Sequence, residues 1–183
     1  MDDLRLADTA GPSPWLSRFA PLIVRGGSVL DLACGRGRHV RLLAGMGLAV
    51  EAVDRDAAAL QGLAGLAGVA ALQADLEGRP WPYAGRTFAG IVVTNYLHRP
   101  LFPLLIEALA PGGVLIYETF MQGHERFGRP SNPDFLLRPG ELLEAFGGQL
   151  SVVAFEQGEV ARPQPAMVQR LCAVRGNGRL RLP

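Results

Sequence analysis

The most constraining feature of this 183-residue sequence is a strand, a glycine turn and a helix that follow one another without a break. Residues 28–32 form a short aliphatic run, which predicts a buried strand, and apolar residues then return at helical spacing. Gly35 and Gly37 lie between the two elements, where they let a ligand approach the backbone closely. The free N–H groups at the start of the following helix face the same space. The stretch therefore predicts a nucleotide-type pocket, with Asp31 at the end of the strand.

The remaining sequence repeats this alternation of apolar runs and helix-forming segments. Each run is almost continuously apolar, which is typical of a parallel sheet with helices on both faces. The last two runs are separated only by a turn around 157–166, so we expect an antiparallel strand near the C-terminus. The sequence thus predicts one α/β domain over residues 1–183, with a doubly wound, mostly parallel, seven-stranded sheet. The predicted strands cover 28–32, 48–53, 69–74, 88–94, 114–119, 150–155 and 168–174, and the predicted helices lie within 14–23, 40–46, 56–66, 100–109 and 139–146.

Composition narrows the possible partners. The formal net charge is +1, which gives no general attraction to nucleic acid or to a membrane surface. The sequence has no lysine, which excludes lysine-based catalysis, and its two cysteines, Cys34 and Cys172, predict neither a disulfide framework nor a metal site. It has no recognisable signal peptide or membrane-spanning run. We therefore expect a cytoplasmic protein with a flexible arm at 1–12 and a flexible tail at 176–183.

Four acids and one amide follow predicted strands, at the point where each strand ends. Ligands of such sheets bind beyond the carboxyl ends of the strands, so these side chains are expected along one edge. The acid of the second strand follows the first turn glycine by 19 residues, where a carboxylate can accept both ribose hydroxyls. The acid of the third strand can accept an amino proton of adenine. The simpler alternative for both is a helix cap or a strand end. The five residues are Asp31, Asp54, Asp75, Asn95 and Glu118.

The glycine turn does not match the two most familiar nucleotide fingerprints. A dinucleotide site needs a third glycine three residues after Gly37, and that position is Val40. A phosphate-binding loop of the Walker type needs a lysine, which the chain lacks. A dehydrogenase is therefore a distant alternative.

At this point the sequence resembles the class I S-adenosylmethionine-dependent methyltransferases. The resemblance extends over about residues 25–175 and includes five motifs in the family's order. A looser similarity to tellurite-resistance-type methyltransferases lies in residues 132–142, and Ala33 stands where many members have glycine. The five motifs occupy residues 31–39, 52–56, 73–76, 88–98 and 109–115.

The resemblance implies a Rossmann-like fold and a binding site for S-adenosylmethionine, with S-adenosylhomocysteine as the product. By this resemblance Asp31 and the glycine turn surround the methionine part of the cofactor, and Asp54 holds the ribose. Arg55 flanks the adenine, which Asp75 and the Leu76 backbone recognise. The implied cofactor-binding residues are Asp31, Ala33, Gly35, Gly37, Asp54, Arg55, Asp75, Leu76 and Asn95.

The same resemblance places the methyl acceptor beside the residues that follow the fourth strand. Methyl transfer from a sulfonium is an in-line displacement, so the protein mainly aligns the reactants and excludes water. Tyr96 and His98 are the predicted catalytic residues, and His98 is the candidate base because the ordinary pKa of histidine is about 6.5. The long loop at 120–136 provides His124 and Arg126 as predicted acceptor contacts.

We therefore expect a methyltransferase that acts on a small-molecule acceptor, as a monomer or a homodimer and away from membranes. The fourth strand is not followed by an Asn/Asp-Pro-Pro-aromatic motif, which argues against methylation of base amino groups in nucleic acid. Two alternatives remain open. In the first, the acceptor is RNA or protein. In the second, the chain is a catalytically inactive cofactor-binding partner in which residues 120–136 block the pocket.

Overall fold

The fold is seen in a computed structural model that describes residues 11–176 and Pro183. Within these residues, seven strands form one sheet. Most of the predicted arm and tail, at 1–10 and 177–182, lies outside the described residues. The strands are β1 Ser28–Leu32, β2 Ala49–Asp54, β3 Val69–Gln73, β4 Phe88–Thr94, β5 Leu109–Phe120, β6 Ser151–Val160 and β7 Ala166–Val174.

The strand order is β3-β2-β1-β4-β5-β7-β6. All pairs among β1 to β5 are parallel, whereas β7 pairs antiparallel with both β5 and β6. This confirms the predicted mostly parallel sheet with one antiparallel strand near the C-terminus. From β1 the chain continues to β2 on one side and later to β4 on the other. The connections therefore diverge at β1, which opens a crevice beyond the carboxyl ends of β1 and β4.

Helices cover both faces of the sheet, as predicted. On one face, α1 to α3 pack over a core that includes Trp15, Phe19 and Leu43. On the other face, α4 and α5 bury a core that includes Leu105 and Phe146. The helices are α1 Pro14–Phe19, α2 Arg38–Gly45, α3 Ala57–Gln61, α4 Phe102–Glu107 and α5 Glu141–Phe146.

The predicted cap of the first helix is present. The Ser13 Oγ accepts hydrogen bonds from the backbone N–H groups of Trp15 and Leu16, at 3.1 and 3.3 Å. Pro14 occupies the first helical position, where its missing N–H leaves no hydrogen bond unmade. The helix passes into a short 3-10 turn at Ala20–Leu22.

Two predicted helices are longer than the observed ones. The helix predicted over 56–66 ends at Gln61, because Gly62 and the left-handed Gly65 direct the chain into turns. The helix predicted over 100–109 ends at Glu107, and Leu109 already belongs to β5.

Strand β5 also runs through residues 111–113, which lie between the predicted helix over 100–109 and the predicted strand over 114–119. Gly112 donates its backbone N–H to the Arg175 carbonyl at 2.8 Å, and Arg175 donates to the Gly113 carbonyl at 2.9 Å. The glycines thus form an irregular start of the strand, which hydrogen-bonds to Arg175 directly after β7.

None of the helices among the described residues is long and apolar enough to span a membrane.

Candidate active site

The turn after β1 is fastened to the end of β2 by short hydrogen bonds. Cys34 donates its N–H to the Val53 carbonyl at 3.0 Å, and Gly35 donates to Asp54 Oδ2 at 2.8 Å. The backbone reverses through positive φ angles of 53°, 54° and 75° at Ala33, Gly35 and Gly37. This geometry leaves the turn open on the side that faces the crevice.

Gly37 is the turn position where a side chain fits least. Its φ of 75° is left-handed, and an added Cβ would overlap the buried Leu63 side chain. Gly35, by contrast, has open space where its Cβ would be. Gly37 therefore serves packing of the turn, and Gly35 leaves room for a ligand.

Asp54 combines a structural role with free acceptor capacity. Its Oδ2 accepts from Gly35 and its Oδ1 accepts from the Asp56 N–H at 2.9 Å. Two carboxylate oxygens offer about four acceptor positions, so roughly two remain. Because Asp54 lines the cavity beyond the sheet, these acceptors are available to a ligand.

Asp31 is the most unusual polar group of the described residues. It is fully buried, and neither carboxylate oxygen makes a hydrogen bond of good geometry there, although the Val40 N–H at the start of α2 acts on the carboxylate and lowers its pKa. Burial raises the pKa of Asp31 to about 7, with a contribution from the Asp54 charge and opposition from the Arg38 guanidinium. A buried carboxylate without partners is costly, and a bound cationic group would relieve the cost.

A cavity of about 300 Å³ lies beyond the carboxyl ends of the strands. The part beside β1 to β3 is polar and rich in carboxylates, whereas the part beside β4 and β5 carries neither acid nor base apart from the tyrosine hydroxyl. The polar part is lined by Ala33, Asp54, Arg55, Ala74, Asp75, Leu76 and Glu77. The neutral part is lined by Asn95, Tyr96, Leu97, Thr119, Phe120, Pro130 and Phe135.

Asn95 and Tyr96 shape the junction of the two parts. Asn95 adopts a φ of 54° and donates its N–H to the Glu118 carbonyl at 2.9 Å. The Tyr96 carbonyl accepts from the Tyr117 hydroxyl at 2.9 Å, which fixes the backbone. The Tyr96 hydroxyl is buried without a geometrically sound partner among the described residues. Burial and the nearby Glu77 charge raise the pKa of Tyr96 well above 10, so the phenol stays protonated.

Residues 121–138, here called the strap, cross over the neutral part of the cavity. Arg99 holds the strap in place through its guanidinium, which donates to the Asp134 carbonyl at 2.7 Å and to the Leu136 carbonyl at 2.9 Å. The same guanidinium contacts the buried Glu141 carboxylate at 2.6 Å. Burial alone would raise the pKa of Glu141, but its hydrogen bonds from Arg99 and the Arg138 backbone outweigh burial and hold the pKa below 4.5. Sequence analysis did not identify this anchor, because its partners are 35 to 42 residues away.

The structure brings most predicted cofactor residues to one place. Seven of the predicted residues line the cavity, and Asp31 and the two turn glycines belong to the strand and turn that border it. Glu118, expected at the same edge, is paired with Arg170 of β7 at 2.5 Å. The seven residues are Ala33, Asp54, Arg55, Asp75, Leu76, Asn95 and Tyr96.

Three predicted acceptor residues are not among those that line the cavity. His98 precedes the 3-10 turn Arg99–Leu101, and its carbonyl accepts from Leu101. Arg126 bends back toward its own turn, where Nε donates to the Gly123 carbonyl at 3.1 Å.

The third of these residues, His124, belongs to the strap and is buried. Its Nδ1 accepts the Met167 N–H at 3.3 Å, so Nε2 carries the proton and donates to the Arg129 carbonyl at 3.1 Å. Its ring stacks on Phe120 with centroids 4.0 Å apart. His124 therefore supports the Phe120 ring that lines the cavity.

Comparisons with solved structures agree with this geometry. The chain is similar in fold to TehB from Haemophilus influenzae, with a TM-score of 0.74 and 18% identity over 94% of this chain; it spans 65% of the length of TehB. An S-adenosylmethionine-dependent methyltransferase from Mesorhizobium loti gives a TM-score of 0.71 and 21% identity, covering 92% of this chain and 99% of that one. The glycopeptide N-methyltransferase MtfA, solved with S-adenosyl-L-homocysteine, gives 0.65 and 19% identity, covering 95% and 97%.

No curated protein matches the chain in sequence. Residues 7–145, however, match the family described as a methyltransferase domain, which is well over half of the chain. The mixed seven-stranded sheet also matches the Rossmann-like fold of the methyltransferases. The chain therefore belongs to the S-adenosylmethionine-dependent methyltransferase family.

Proposed function

We propose that this chain transfers the methyl group of S-adenosylmethionine to a small-molecule acceptor held between the end of β4 and the strap. The observation that carries the proposal is the division of one cavity into two chemically different parts. The carboxylate-rich part suits an adenosine and an ammonium group. The neutral part, next to it and covered by the strap, suits an acceptor.

The residues present fit the cofactor. The unpartnered Asp31 carboxylate suits the cofactor's ammonium group, since a cation would compensate its buried charge. The free acceptor positions of Asp54 suit the two ribose hydroxyls, and Asp75 at the end of β3 suits the adenine amino group. Gly35 and Ala33 keep the turn open beside them.

The bound cofactor supplies a methyl group on a positively charged sulfur. The protein's own task is then to orient the acceptor and to keep water away. Phe120, Pro130 and Phe135 close the neutral part with apolar surface, while Asn95 and Tyr96 offer polar groups for orientation. His98 has no assigned role here, because it neither lines the cavity nor belongs to the strand and turn that border its cofactor side.

The strap supports a small acceptor over a macromolecular one. A polymer needs an open groove, whereas here the strap is held down by the Arg99 hydrogen bonds described above. The volume of about 300 Å³ leaves little space once a cofactor is bound.

We also propose that the protein works in the cytoplasm, as a monomer or a homodimer. The free thiols of Cys34 and Cys172 support the cytoplasmic location.

A methyl-transfer screen tests the proposal. The protein is incubated with methyl-tritiated S-adenosylmethionine and, separately, with thiols, amines, phenols, oxyanions, bulk RNA and a protein extract. We expect label in at least one small-molecule class and none in RNA or protein. Label confined to RNA or protein, or no transfer in spite of cofactor binding, would contradict the proposed function.

The matched variants are Asp54→Ala and Asp56→Ala. Both remove an acid near the end of β2, but only Asp54 lines the cavity. Asp56 instead caps α3 by accepting the Ala58 N–H at 2.9 Å. Transfer should be lost in the first variant and retained in the second.

A further inference from the structure

We infer that the acceptor carries an aromatic ring, which packs against the Phe120 and Phe135 rings, and that Arg99 is a positioning residue for this contact. The inference rests on the proposed function and specifies the acceptor of that same site. It follows from three observations: the aromatic walls of the neutral part of the cavity, the exposure of Phe135, and the hydrogen bonds that fix the backbone around Phe135.

Ring-shaped side chains dominate the walls of the neutral part. Three of the seven residues that line it are aromatic, namely Tyr96, Phe120 and Phe135, and Pro130 adds a saturated ring. Aromatic rings prefer offset-stacked or edge-to-face contacts with one another, and such a contact adds up to about tenfold in affinity beyond the effect of the buried area. A flat aromatic group therefore gains most from these walls.

The Phe120 ring is held in a fixed position. Phe120 ends β5, where it pairs with Val168 of β7. Its ring stacks on the His124 ring, with centroids 4.0 Å apart and an angle of 22° between the planes. His124 is itself fixed by its hydrogen bonds with the Met167 N–H and the Arg129 carbonyl. Because His124 covers one face of Phe120, the cavity meets the other face or the edge of this ring.

Phe135 combines exposure with a place in the cavity wall. It lines the neutral part and keeps 48% of its surface accessible. A single exposed apolar side chain is common on protein surfaces and implies nothing by itself. At Phe135, however, the exposed ring borders an apolar pocket, so a ligand that enters the neutral part removes apolar surface of this ring from water.

The backbone on both sides of Phe135 is fixed by hydrogen bonds. Arg99 donates to the preceding carbonyl, of Asp134, at 2.7 Å and to the following carbonyl, of Leu136, at 2.9 Å. The Phe135 N–H donates to the Asn132 carbonyl at 3.0 Å, and Asn132 Oδ1 accepts the Asp134 N–H at 3.0 Å. A wall whose position is set before the ligand arrives lowers the ordering cost of binding. These bonds therefore suit Phe135 to a binding role.

The guanidinium of Arg99 makes all of its contacts at once because it is planar and carries several donors. Its charge is balanced by the buried Glu141 carboxylate, which accepts from Nε at 2.6 Å and from Nη2 at 3.1 Å. Arg99 itself does not line the cavity, so it acts on the acceptor through Phe135. A lysine would keep the charge for Glu141, but its compact ammonium group does not reproduce the fork that holds both carbonyls.

A saturated apolar group is the main alternative to an aromatic ring. A cyclohexyl group is larger than a phenyl group and buries more apolar area, so the hydrophobic effect alone favours the cyclohexyl compound. A preference for phenyl requires ring contacts. The ratio of the two affinities therefore reports the ring contacts and does not change when binding is weakened in general.

The test titrates matched pairs of compounds into protein saturated with S-adenosylhomocysteine. The pairs are benzylamine and cyclohexylmethylamine, benzyl mercaptan and cyclohexylmethanethiol, and benzyl alcohol and cyclohexylmethanol, which together cover three head groups. We expect the phenyl member to bind about tenfold more tightly in at least one pair. Equal or tighter binding of the cyclohexyl member in every pair, or no binding of any compound, would overturn the inference.

Two matched pairs of variants locate the contact. Phe135→Leu keeps an apolar side chain but removes the ring, and it should reduce the preference for phenyl to less than about twofold. Phe127→Leu makes the same replacement at a strap residue that does not line the cavity, and it should leave the preference unchanged. Arg99→Lys should reduce the preference as Phe135→Leu does. Arg138→Lys, at the exposed arginine 3.7 Å from the same Glu141 carboxylate, should not.

The affinity for S-adenosylhomocysteine should be the same in all four variants, because none of the four residues lines the carboxylate-rich part. A loss of this affinity in Phe135→Leu would place the ring against the cofactor and overturn the inference. Equal effects of Phe135→Leu and Phe127→Leu on the phenyl preference would also overturn it, and a full preference in Arg99→Lys would remove Arg99 as a positioning residue.

The outcomes separate this inference from the proposed function. Methyl transfer to small molecules without a preference for phenyl overturns the aromatic assignment and leaves the small-molecule methyltransferase standing. Tighter binding of phenyl compounds without methyl transfer to any small molecule supports the aromatic site and contradicts the proposed function.

Discussion

Replacing Asp31 by Asn should stabilise the cofactor-free protein at alkaline pH. Asp31 is fully buried without a hydrogen bond of good geometry among the described residues, and burial outweighs the Arg38 charge and the Val40 N–H and raises its pKa from 3.8 to about 7. Between these two pH values the folded chain holds a proton that the unfolded chain has released. Stability attributable to Asp31 therefore falls as the pH rises through this window, by about 4 kcal/mol in total.

Asparagine keeps the shape of the side chain but does not ionise. Most of the window lies above pH 5, so the stability of Asp31→Asn relative to the parent protein should be about 3 kcal/mol more favourable at pH 8 than at pH 5. All other titrating groups are common to the two proteins, and the comparison therefore isolates Asp31. The gain has a functional cost, because the carboxylate that suits the cofactor's ammonium group is lost.

Urea unfolding at both pH values, followed by tryptophan fluorescence, measures the difference directly. Asp56→Asn is the control, since it makes the same replacement at an exposed acid that does not line the cavity. The affinity of Asp31→Asn for S-adenosylhomocysteine should fall at least tenfold. A variant whose relative stability is the same at pH 5 and pH 8, or lower at pH 8, would refute the reasoning.

Two further predictions concern the strap and the glycine turn. Arg99→Ala leaves the buried Glu141 carboxylate without its main partner, so the free energy of unfolding in a urea titration should fall by about 3–5 kcal/mol. Arg138 is an exposed side chain that lies farther from the same carboxylate, so Arg138→Ala should lower the free energy of unfolding by less than about 1 kcal/mol. Because the pKa of Glu141 is held below 4.5, the contribution of this pair should persist at neutral pH and disappear as the pH falls below that value; a loss already at pH 6 would argue against it. Gly37→Ala should lower the free energy of unfolding by about 1–3 kcal/mol through the clash with Leu63 and its left-handed φ, and an unchanged urea midpoint would show that the turn adapts.

The sheet and its cofactor side were predictable because their signals are local. The strand at 28–32 and the strand at 88–94 were predicted with the observed bounds, since each is a short apolar run flanked by glycine or polar residues. The expectation that the strand-end acids lie along one edge came from the rule that parallel strands present their carboxyl ends together. Asp54 and Asp75 both lie at this edge and line the cavity.

The acceptor side was harder to predict from the sequence, because its contacts join residues that are far apart in the chain. Nothing in the sequence near Arg99 indicates that its guanidinium reaches Asp134 and Leu136 across the strap. Histidine in a long loop is a residue type that suggests a substrate contact. In the structure, however, both ring nitrogens of His124 hydrogen-bond to backbone groups. Histidine pairing of this kind depends on the tertiary position of β7, which local periodicity does not report.

The helix predicted up to Leu109 shows the same limit on a smaller scale. Pro111 and the two glycines after it are normally breakers, and the sequence alone favours a helix that stops there. In the structure Leu109 pairs with Phe88 of β4, and Arg175, the residue after β7, hydrogen-bonds to Gly112 and Gly113, so tertiary pairing overrides the local signal.

Calorimetric titration of the protein with S-adenosylhomocysteine tests the central claim most directly. The account predicts one binding site in the parent protein, loss of binding in Asp54→Ala and unchanged binding in Asp56→Ala, with no heat from NADH. Binding of NADH without binding of S-adenosylhomocysteine would contradict it, as would equal affinity in the two variants.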